Sequence, residues 1–306
     1  MNKILITGIT GFIGSQIAEL LVQYNFKVIG LKRSQSDVWR CEEFKEKIIW
    51  VDVDGEDDYK KHLVNLGFDA LIHCAWIGVE SNERDKWEVQ SKNLTFLSDL
   101  LQISKKVKVK KLLVLGSQSE YGQIEGKISE AHTTRPVNAY AAIKLACLEL
   151  TKNFANINDI KWIWIRIFSL FGEKEGNNWL IPYTLNSIKN NLNLELTHGE
   201  QKYAYLYIKD FAEIIYKIID KHVDSGVYNV SSVKSISIKS LVTQIRDLVN
   251  PAFELKFGTL EYRINQSMHI EGDMKKLEDQ IGKIQFTDFN VAIVNTINYF
   301  LNQKLS

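Results

Sequence analysis

The sequence predicts a doubly wound α/β fold with a parallel sheet, and three observations carry that prediction. Short β-branched runs alternate with helical patterns through the first half of the chain. Those runs are apolar almost throughout, as strands are when both faces of their sheet are covered. The first run passes directly into a glycine-rich turn that opens a helix.

The predicted strands are residues 4–7, 27–31, 48–51, 70–73, 112–115 and 162–167. Apolar residues at helical spacing mark 14–23, 88–102 and 139–154 between them. Strands alternating with helices pair in parallel through right-handed crossovers, and such a sheet takes its ligand beyond the strands' carboxyl ends. After about Phe171 the rhythm changes. Gly176, Asn177 and Asn178 form a loop, followed by a helix over 182–189 and a strand over 192–196. A helix at 209–219 and a strand at 227–230 return to the sheet, and 235–306 reads as mixed helix and irregular chain. The expected division is a main lobe, 1–170 with about 197–233, and a smaller one, about 171–196 with 234–306.

At 306 residues the chain can bury a sizeable core, and 45% hydrophobic with 25% charged residues is ordinary globular composition. A net charge of +1 gives no reason to expect a nucleic-acid or membrane partner. The one basic run, Lys105, Lys106, Lys108, Lys110 and Lys111, reads as a solvated helix end. Cys41, Cys74 and Cys147 lie far apart, which argues against a disulfide framework or a metal site and fits a cytoplasmic setting. No apolar stretch approaches the length of a membrane span, and the first residues enter a strand rather than a signal peptide.

Gly8-Ile9-Thr10-Gly11-Phe12-Ile13-Gly14 joins the first strand to the first helix. Glycines there allow a tight turn and close backbone approach, so amides and the helix N-terminus can face a diphosphate. The second strand ends Gly30-Leu31-Lys32-Arg33-Ser34. An acid at that point would accept hydrogen bonds from an adenosine ribose, whereas Lys32 and Arg33 suit a 2′-phosphate, or else are solvated surface cations. The third strand ends Val51-Asp52-Val53-Asp54, where Asp52 either accepts the adenine amino group or serves as a turn residue.

Pro136-Val137-Asn138-Ala139-Tyr140-Ala141-Ala142-Ile143-Lys144 sets a tyrosine and a lysine at i and i+4 on one helix face. A free tyrosine titrates near 10, so a base working at neutrality needs about 4 kcal/mol of preference for its phenolate. A nearby, partly desolvated ammonium is the kind of group that supplies it. Such pairs are common on surface helices. Here the strand at 112–115 also runs into Gly116-Ser117-Gln118-Ser119-Glu120-Tyr121-Gly122, placing hydroxyls at a carboxyl end. Ser117 there either hydrogen-bonds a substrate oxygen or, with Ser119, simply forms the turn.

Together with Arg166-Ile167-Phe168-Ser169-Leu170-Phe171-Gly172, these motifs resemble the extended short-chain dehydrogenase/reductase family, and within it the sugar-nucleotide epimerases, dehydratases and 4-keto-sugar reductases. His73-Cys74-Ala75 resembles the family's fourth-strand end, Asn93 its helix-four asparagine, and Tyr207-Ile208-Lys209-Asp210 its late return to the sheet. The resemblance implies a Rossmann lobe and a smaller C-terminal substrate lobe. It implies a catalytic triad of Ser117, Tyr140 and Lys144, in which Ser117 orients the substrate, Tyr140 relays the hydroxyl proton, and Lys144 lowers its pKa and holds the nicotinamide ribose, so that Tyr140 and Lys144 also count among the cofactor-binding residues. Gly8, Thr10, Gly11, Phe12, Ile13, Gly14, Lys32, Arg33, Asp52, Val53, Cys74, Ala75 and Asn93 are expected at the cofactor, with Phe168 by the nicotinamide.

Three departures narrow the function. Gln118 and Ser119 stand where typical 4,6-dehydratases carry Asp-Glu or Glu, with Glu120 one place late unless a one-residue gap restores it. Tyr203-Ala204 stand where relatives read Arg-Asp, so the arginine that grips the substrate diphosphate is missing. Ser169 replaces the usual asparagine. The expectation is an NADP-dependent reductase of a nucleotide-linked 4-keto-6-deoxy sugar, with NAD as the alternative cofactor. A 4-epimerase retaining NAD is the second reading and a non-catalytic NAD(P)-binding sensor the third. Arg263, Lys202, Asn178 and Ser119 are expected on the substrate, and no metal is expected. The resemblance also implies a homodimer through the helices of Asn93 and Tyr140; Leu94, Leu97, Leu101, Leu145, Leu148 and Leu150 either supply that contact or all face the sheet.

Overall fold

A computed structural model describes residues 2–263 and 266–302. The first half runs β1 (Lys3–Thr7), α1 (Phe12–Gln23), β2 (Lys27–Lys32), β3 (Ile48–Asp52), α2 (Tyr59–Leu66), β4 (Ala70–His73) and α3 (Trp87–Lys106). It continues with β5 (Lys111–Ser117), β6 (Gly126–Ile128), α4 (Ala139–Ile157), β7 (Lys161–Ile167) and β8 (Ser169–Phe171). Then come α5 (Leu180–Lys189), β9 (Glu195–Leu196), β10 (Lys202–Tyr203), β11 (Tyr205–Tyr207), α6 (Ile208–Asp220) and β12 (Gly226–Val230). The last stretch holds β13 (Ile236–Ser237), α7 (Ile238–Val249), β14 (Lys256–Phe257), β15 (His269–Gly272), α8 (Lys275–Ile281) and α9 (Phe289–Asn302).

Seven strands form one parallel sheet in the order β12-β7-β5-β4-β1-β2-β3. The chain winds outward from β1 to β3, then restarts at β4 and winds the other way, as the alternating pattern predicts. Side chains of a strand alternate between faces, so each strand feeds two cores. Ile4 and Ile6 enter one that α6 also lines, while Leu5 enters the other with Leu97 and Leu101 of α3. The homodimer leucines are therefore largely used within the chain. Leu97, Leu101 and Leu148 are buried in its own core, and Leu94, Leu145 and Leu150 are partly buried against it.

A second sheet, β13-β10-β15-β6, is built mostly from late residues, yet β6 comes from the chain just after the serine turn. That excursion ties the end of β5 to the late part of the chain. The strand expected over 192–196 shrinks to β9, which pairs with β14. α5 begins two residues before Pro182, which sits in the first turn, where no intrahelical N–H bond is lost.

The basic run divides in two. Lys105 and Lys106 are exposed at the end of α3, as a solvated helix end should be. Lys111 is not: it is buried, and its ammonium donates to the carbonyls of Ile218 (2.5 Å), Ile219 (3.3 Å) and Lys221 (2.9 Å). Those are carbonyls left open at the end of α6, so this lysine is a cap and not a surface charge. Among the described residues no helix is long and apolar enough to cross a membrane.

Candidate active site

The glycine turn lies between the carboxyl ends of β1 and β4, where the sheet order reverses, the position at which sheets of this kind take their ligands. Gly8 has φ +67°, and a Cβ there would fall 2.6 Å from the Ala75 nitrogen. A Cβ on Gly14 would fall 2.3 Å from the Gly8 oxygen. These two glycines close the turn against Cys74 and Ala75. Gly11 differs: its Cβ would meet only the Gly8 oxygen, at 3.2 Å, and is otherwise in open space. α1 also has no side-chain cap and no acid in its first turn, so its leading amides are open to an anion. Thr10 is half-exposed at this rim, and Phe12 and Ile13 pack against the core beneath it. A cradle with an open middle and bare amides fits a dinucleotide diphosphate.

At the ends of β2 and β3 two of the expected cofactor residues bind each other. The Lys32 ammonium is 2.7 Å from an Asp52 carboxylate oxygen. Val53 closes the same corner by donating its backbone N–H to the Lys32 carbonyl (2.8 Å). Arg33 is exposed.

Ser117, Tyr140 and Lys144 come together at the end of β5. The Ser117 hydroxyl hydrogen-bonds the Tyr140 phenol and also accepts the Ser119 N–H (3.1 Å). Asn138 caps α4 by accepting the Ala141 N–H (2.9 Å), which fixes the turn that carries Tyr140. Lys144 is buried and donates to the Leu115 carbonyl (2.6 Å). Desolvation brings its ammonium down to about 8. Burial pushes the Tyr140 phenol up, while the Ser117 hydrogen bond and the charge of Arg84 pull it back.

Glu120 settles the question raised by its offset. It is fully buried, and its carboxylate accepts from the Ser117 N–H (2.8 Å), the Trp164 indole N–H (3.0 Å) and Arg166 Nε (2.7 Å). With the Ser117 hydroxyl on the Ser119 N–H, this is a capping box that shapes the serine turn. Gly116 is required beside it, since a Cβ there would lie 2.5 Å from a Glu120 oxygen. No gap in the turn frees this acid for substrate.

Other expected residues are dispersed. Asn93 spends its amide on the Ile77 backbone, accepting at 2.8 Å and donating at 3.0 Å, so it holds a loop rather than reaching outward. Phe168 is buried with Tyr121, Ile124 and Ile128, its ring against Gly272. Asn178 is exposed on the loop after β8, and Ser119 is half-buried in the serine turn. Lys202 and Arg263 are both exposed; the charge of Arg263 reaches the Tyr203 phenol, whereas Lys202 precedes Tyr203 on β10 and points to the other face.

The profile of the NAD dependent epimerase/dehydratase family matches residues 4–231. The chain belongs to that family. Among its relatives is a CDP-abequose synthase of Salmonella muenchen, 24% identical over 270 residues that cover 87% of each chain. A dTDP-6-deoxy-L-talose 4-dehydrogenase (NAD(+)) of Aggregatibacter actinomycetemcomitans is 25% identical, covering 88% of this chain and 99% of that one. Among solved structures, the UDP-N-acetylglucosamine 4-epimerase of Methanobrevibacter ruminantium M1, bound to UDP-N-acetylmuramic acid, superposes with a TM-score of 0.89 at 24% identity over 99% of both chains. At that identity the likeness concerns the fold. This epimerase/dehydratase family member is thus an NAD-dependent enzyme of the sugar-nucleotide type.

Reading the sequence missed the loop after β4. The Trp76 ring centroid is 3.5 Å from the Lys144 ammonium and 5.8 Å from the Tyr140 ring, edge on. The Arg84 guanidinium carbon is 4.9 Å from the Tyr140 ring centroid. Gln90 anchors the loop, accepting from the Trp76 indole (2.9 Å) and donating to the Gly78 carbonyl (2.7 Å). The available signal was Trp76 itself, a large aromatic directly after the strand-end Cys74-Ala75.

Proposed function

We propose that this family member is a reductase of a 4-keto-6-deoxy sugar carried on a nucleoside diphosphate, with NADP as its preferred cofactor. The observation that carries this reading is the commitment of Glu120 to Ser117, Trp164 and Arg166. Elimination of the dehydratase kind needs an acid and base beyond the tyrosine, and the serine turn offers none. Hydride exchange at a carbonyl carbon needs only the triad. The names of the relatives above, a CDP-abequose synthase and a dTDP-6-deoxy-L-talose 4-dehydrogenase, support the same class.

In this reading the amides of Gly8–Gly14 hold the cofactor diphosphate, and Arg33 with Lys32 the adenosine end. Asp52 and Val53 line the adenine side, Cys74 and Ala75 the strand-end wall, and a bound nicotinamide supplies the hydride. Ser117 donates to the keto oxygen and fixes it beside Tyr140. Tyr140 then gives its phenolic proton to that oxygen as negative charge develops there. Lys144, held by Leu115 and Trp76, stabilises the phenolate left behind. Arg263 meets the substrate diphosphate. The substrate lobe is proposed as about 171–196 with 234–306, joined by β6, and the working form as a homodimer using the remaining surface of α3 and α4.

A 4-epimerase keeps a second place, because the Lys32–Asp52 pair weakens the case for a 2′-phosphate. One assay separates these readings. The protein is mixed with NADPH or NADH and the 4-keto forms of dTDP-, CDP-, GDP- and UDP-6-deoxyhexoses, and reduced-nicotinamide absorbance is followed. Stoichiometric oxidation is expected with one of them. Inversion at C4 of a UDP-hexose without added cofactor would replace the reductase by the epimerase, and neither activity would leave a binding module.

A further inference from the structure

We infer that Arg84 is a positioning residue of the active site, a second cation set against Tyr140 by the loop after β4. The inference rests on the role given to Tyr140 above. Its observations are geometric and lie in residues outside the triad.

The loop reaches α4 twice. Its backbone accepts the Tyr140 N–H at the Arg84 carbonyl (2.8 Å), filling one of the open donors at the start of that helix. Its Arg84 side chain then lies over the Tyr140 ring at 4.9 Å, closer than the Lys144 ammonium at 5.8 Å. Nε of Arg84 donates to the Val79 carbonyl (2.9 Å), which holds the fork in place. The loop itself is anchored to α3 by Asn93 and Gln90, so the guanidinium is not left to wander.

Lys144 has other commitments. Its ammonium bonds the Leu115 carbonyl and rests on the Trp76 face, both of which draw on the same charge. The groups facing Tyr140 are then Ser117 from β5, Arg84 and Trp76 from the loop, Lys144 from its own helix, and Glu120 from the serine turn. Glu120 opposes the phenolate, but Arg166 at 2.7 Å compensates it. Of the two cations set over the ring among the described residues, Arg84 makes the nearer approach. A charge placed there stabilises the phenolate that proton transfer leaves, and a guanidinium stays charged throughout the working range.

The test uses the full-length enzyme and whichever keto-sugar nucleotide of the panel it reduces fastest. In the direction of reduction Tyr140 is the acid, so turnover falls at alkaline pH as the phenol ionises. In Arg84→Gln that limb is expected to move up by about one pH unit and the plateau to fall about tenfold, since one unit is a tenfold difference in equilibrium. Arg84→Lys should restore most of both, and Arg84→Met should behave as Arg84→Gln. All three keep the backbone carbonyl that caps α4, so a melting temperature near the parent's is expected. A limb that stays at the parent's pH in both neutral variants, whatever happens to the plateau, overturns the inference. Tyr140→Phe is run alongside. If it keeps turnover within a few-fold of the parent, the reading of Tyr140 fails; if the parent reduces nothing in the panel, the reductase reading fails; in either case the inference falls with it. If Tyr140→Phe is inactive and the limb does not move, only Arg84 loses its role.

Discussion

The end of β5 and the loop after β8 each bury a glutamate, and they do so by opposite means. Glu120 has an arginine, an indole N–H and a backbone N–H on its two oxygens. Among the described residues Glu175 has no side-chain partner; the Gly172 N–H meets its carboxyl, one oxygen is buried without any hydrogen bond, and desolvation pushes the carboxyl up to about 8. The first is a charge that the fold has compensated. The second is a carboxyl that the fold keeps by leaving its proton on. Burial alone therefore does not say what an acid does; the donors around it do.

The largest effect expected from this contrast is on the compensated side. Arg166→Met leaves Glu120 buried without its cation, and breaking such a pair typically costs about 3–5 kcal/mol. Arg166 also stacks on Tyr121, 4.3 Å from its ring, so packing is lost as well. Denaturant unfolding of the variant should show that loss. Removing both partners, as Glu120→Leu with Arg166→Met, should recover a good part of it. A single variant as stable as the parent would mean that Glu120 is no more charged than Glu175.

The starved side is tested by pH. For a carboxyl raised from 4.5 to about 8, the unfolded chain releases the proton first. The folded state therefore loses stability as pH climbs through that window, and the loss levels off above 8. At 1.36 kcal/mol per unit the full loss is about 5 kcal/mol. Glu175→Gln removes it, so the variant should match the parent near pH 4 and exceed it near pH 8. Parallel stability curves for the two proteins would show Glu175 to be partnered and ionised.

These two regions also mark how far the sequence could be read. The seven-stranded sheet was legible because apolar strands and helical periodicity are local, and the glycine turn because its spacing is. Tyr140 and Lys144 were legible for the same reason, being four residues apart on one helix. What stayed hidden depends on contacts between distant segments. Glu120 could be placed only by seeing Arg166, 46 residues on. Lys111 read as part of a charge run until the end of α6 arrived over it. Arg84 lies in a loop with no periodicity, and nothing in its neighbours announces Tyr140. β6, three residues long, has no strand signal of its own and exists through its pairing with β15.

A smaller effect is expected at Tyr203, where the family resemblance would place an arginine. Its phenol lies within reach of the Arg263 charge and is bonded by Gln266. Arg263→Ala should raise the KM for the keto-sugar nucleotide about tenfold while leaving the affinity for NADPH unchanged, because one charge-assisted contact is worth about 1.5–3 kcal/mol. The exposed Lys202 should matter less, since neighbouring residues of a strand face opposite ways. An unchanged KM in Arg263→Ala would place the diphosphate elsewhere and leave the late loop without a part in substrate binding.

The smallest expected effect concerns the adenosine end of the cofactor, and here the logic of compensation applies once more. Lys32 and Arg33 both suit a 2′-phosphate by position, but they are not equally available. The Lys32 side chain is only 13% exposed and already bonded to Asp52 at 2.7 Å. A phosphate arriving there must share the ammonium with a carboxylate, and it meets that carboxylate's own charge. Arg33 is exposed and carries a planar fork that matches a phosphate's oxygens. Discrimination should therefore come mainly from Arg33 and be modest, about tenfold in favour of NADPH, which is 1.4 kcal/mol. Arg33→Ala should bring NADPH and NADH to nearly equal affinity in fluorescence titrations, while Lys32→Ala should cost NADPH only a few-fold. Asp52→Asn offers the sharper probe, since it frees Lys32 and should increase the preference for NADPH. If the parent binds NADH as well as NADPH, and Asp52→Asn does not change that, the corner of β2 and β3 holds no phosphate, and the epimerase reading gains what the reductase loses.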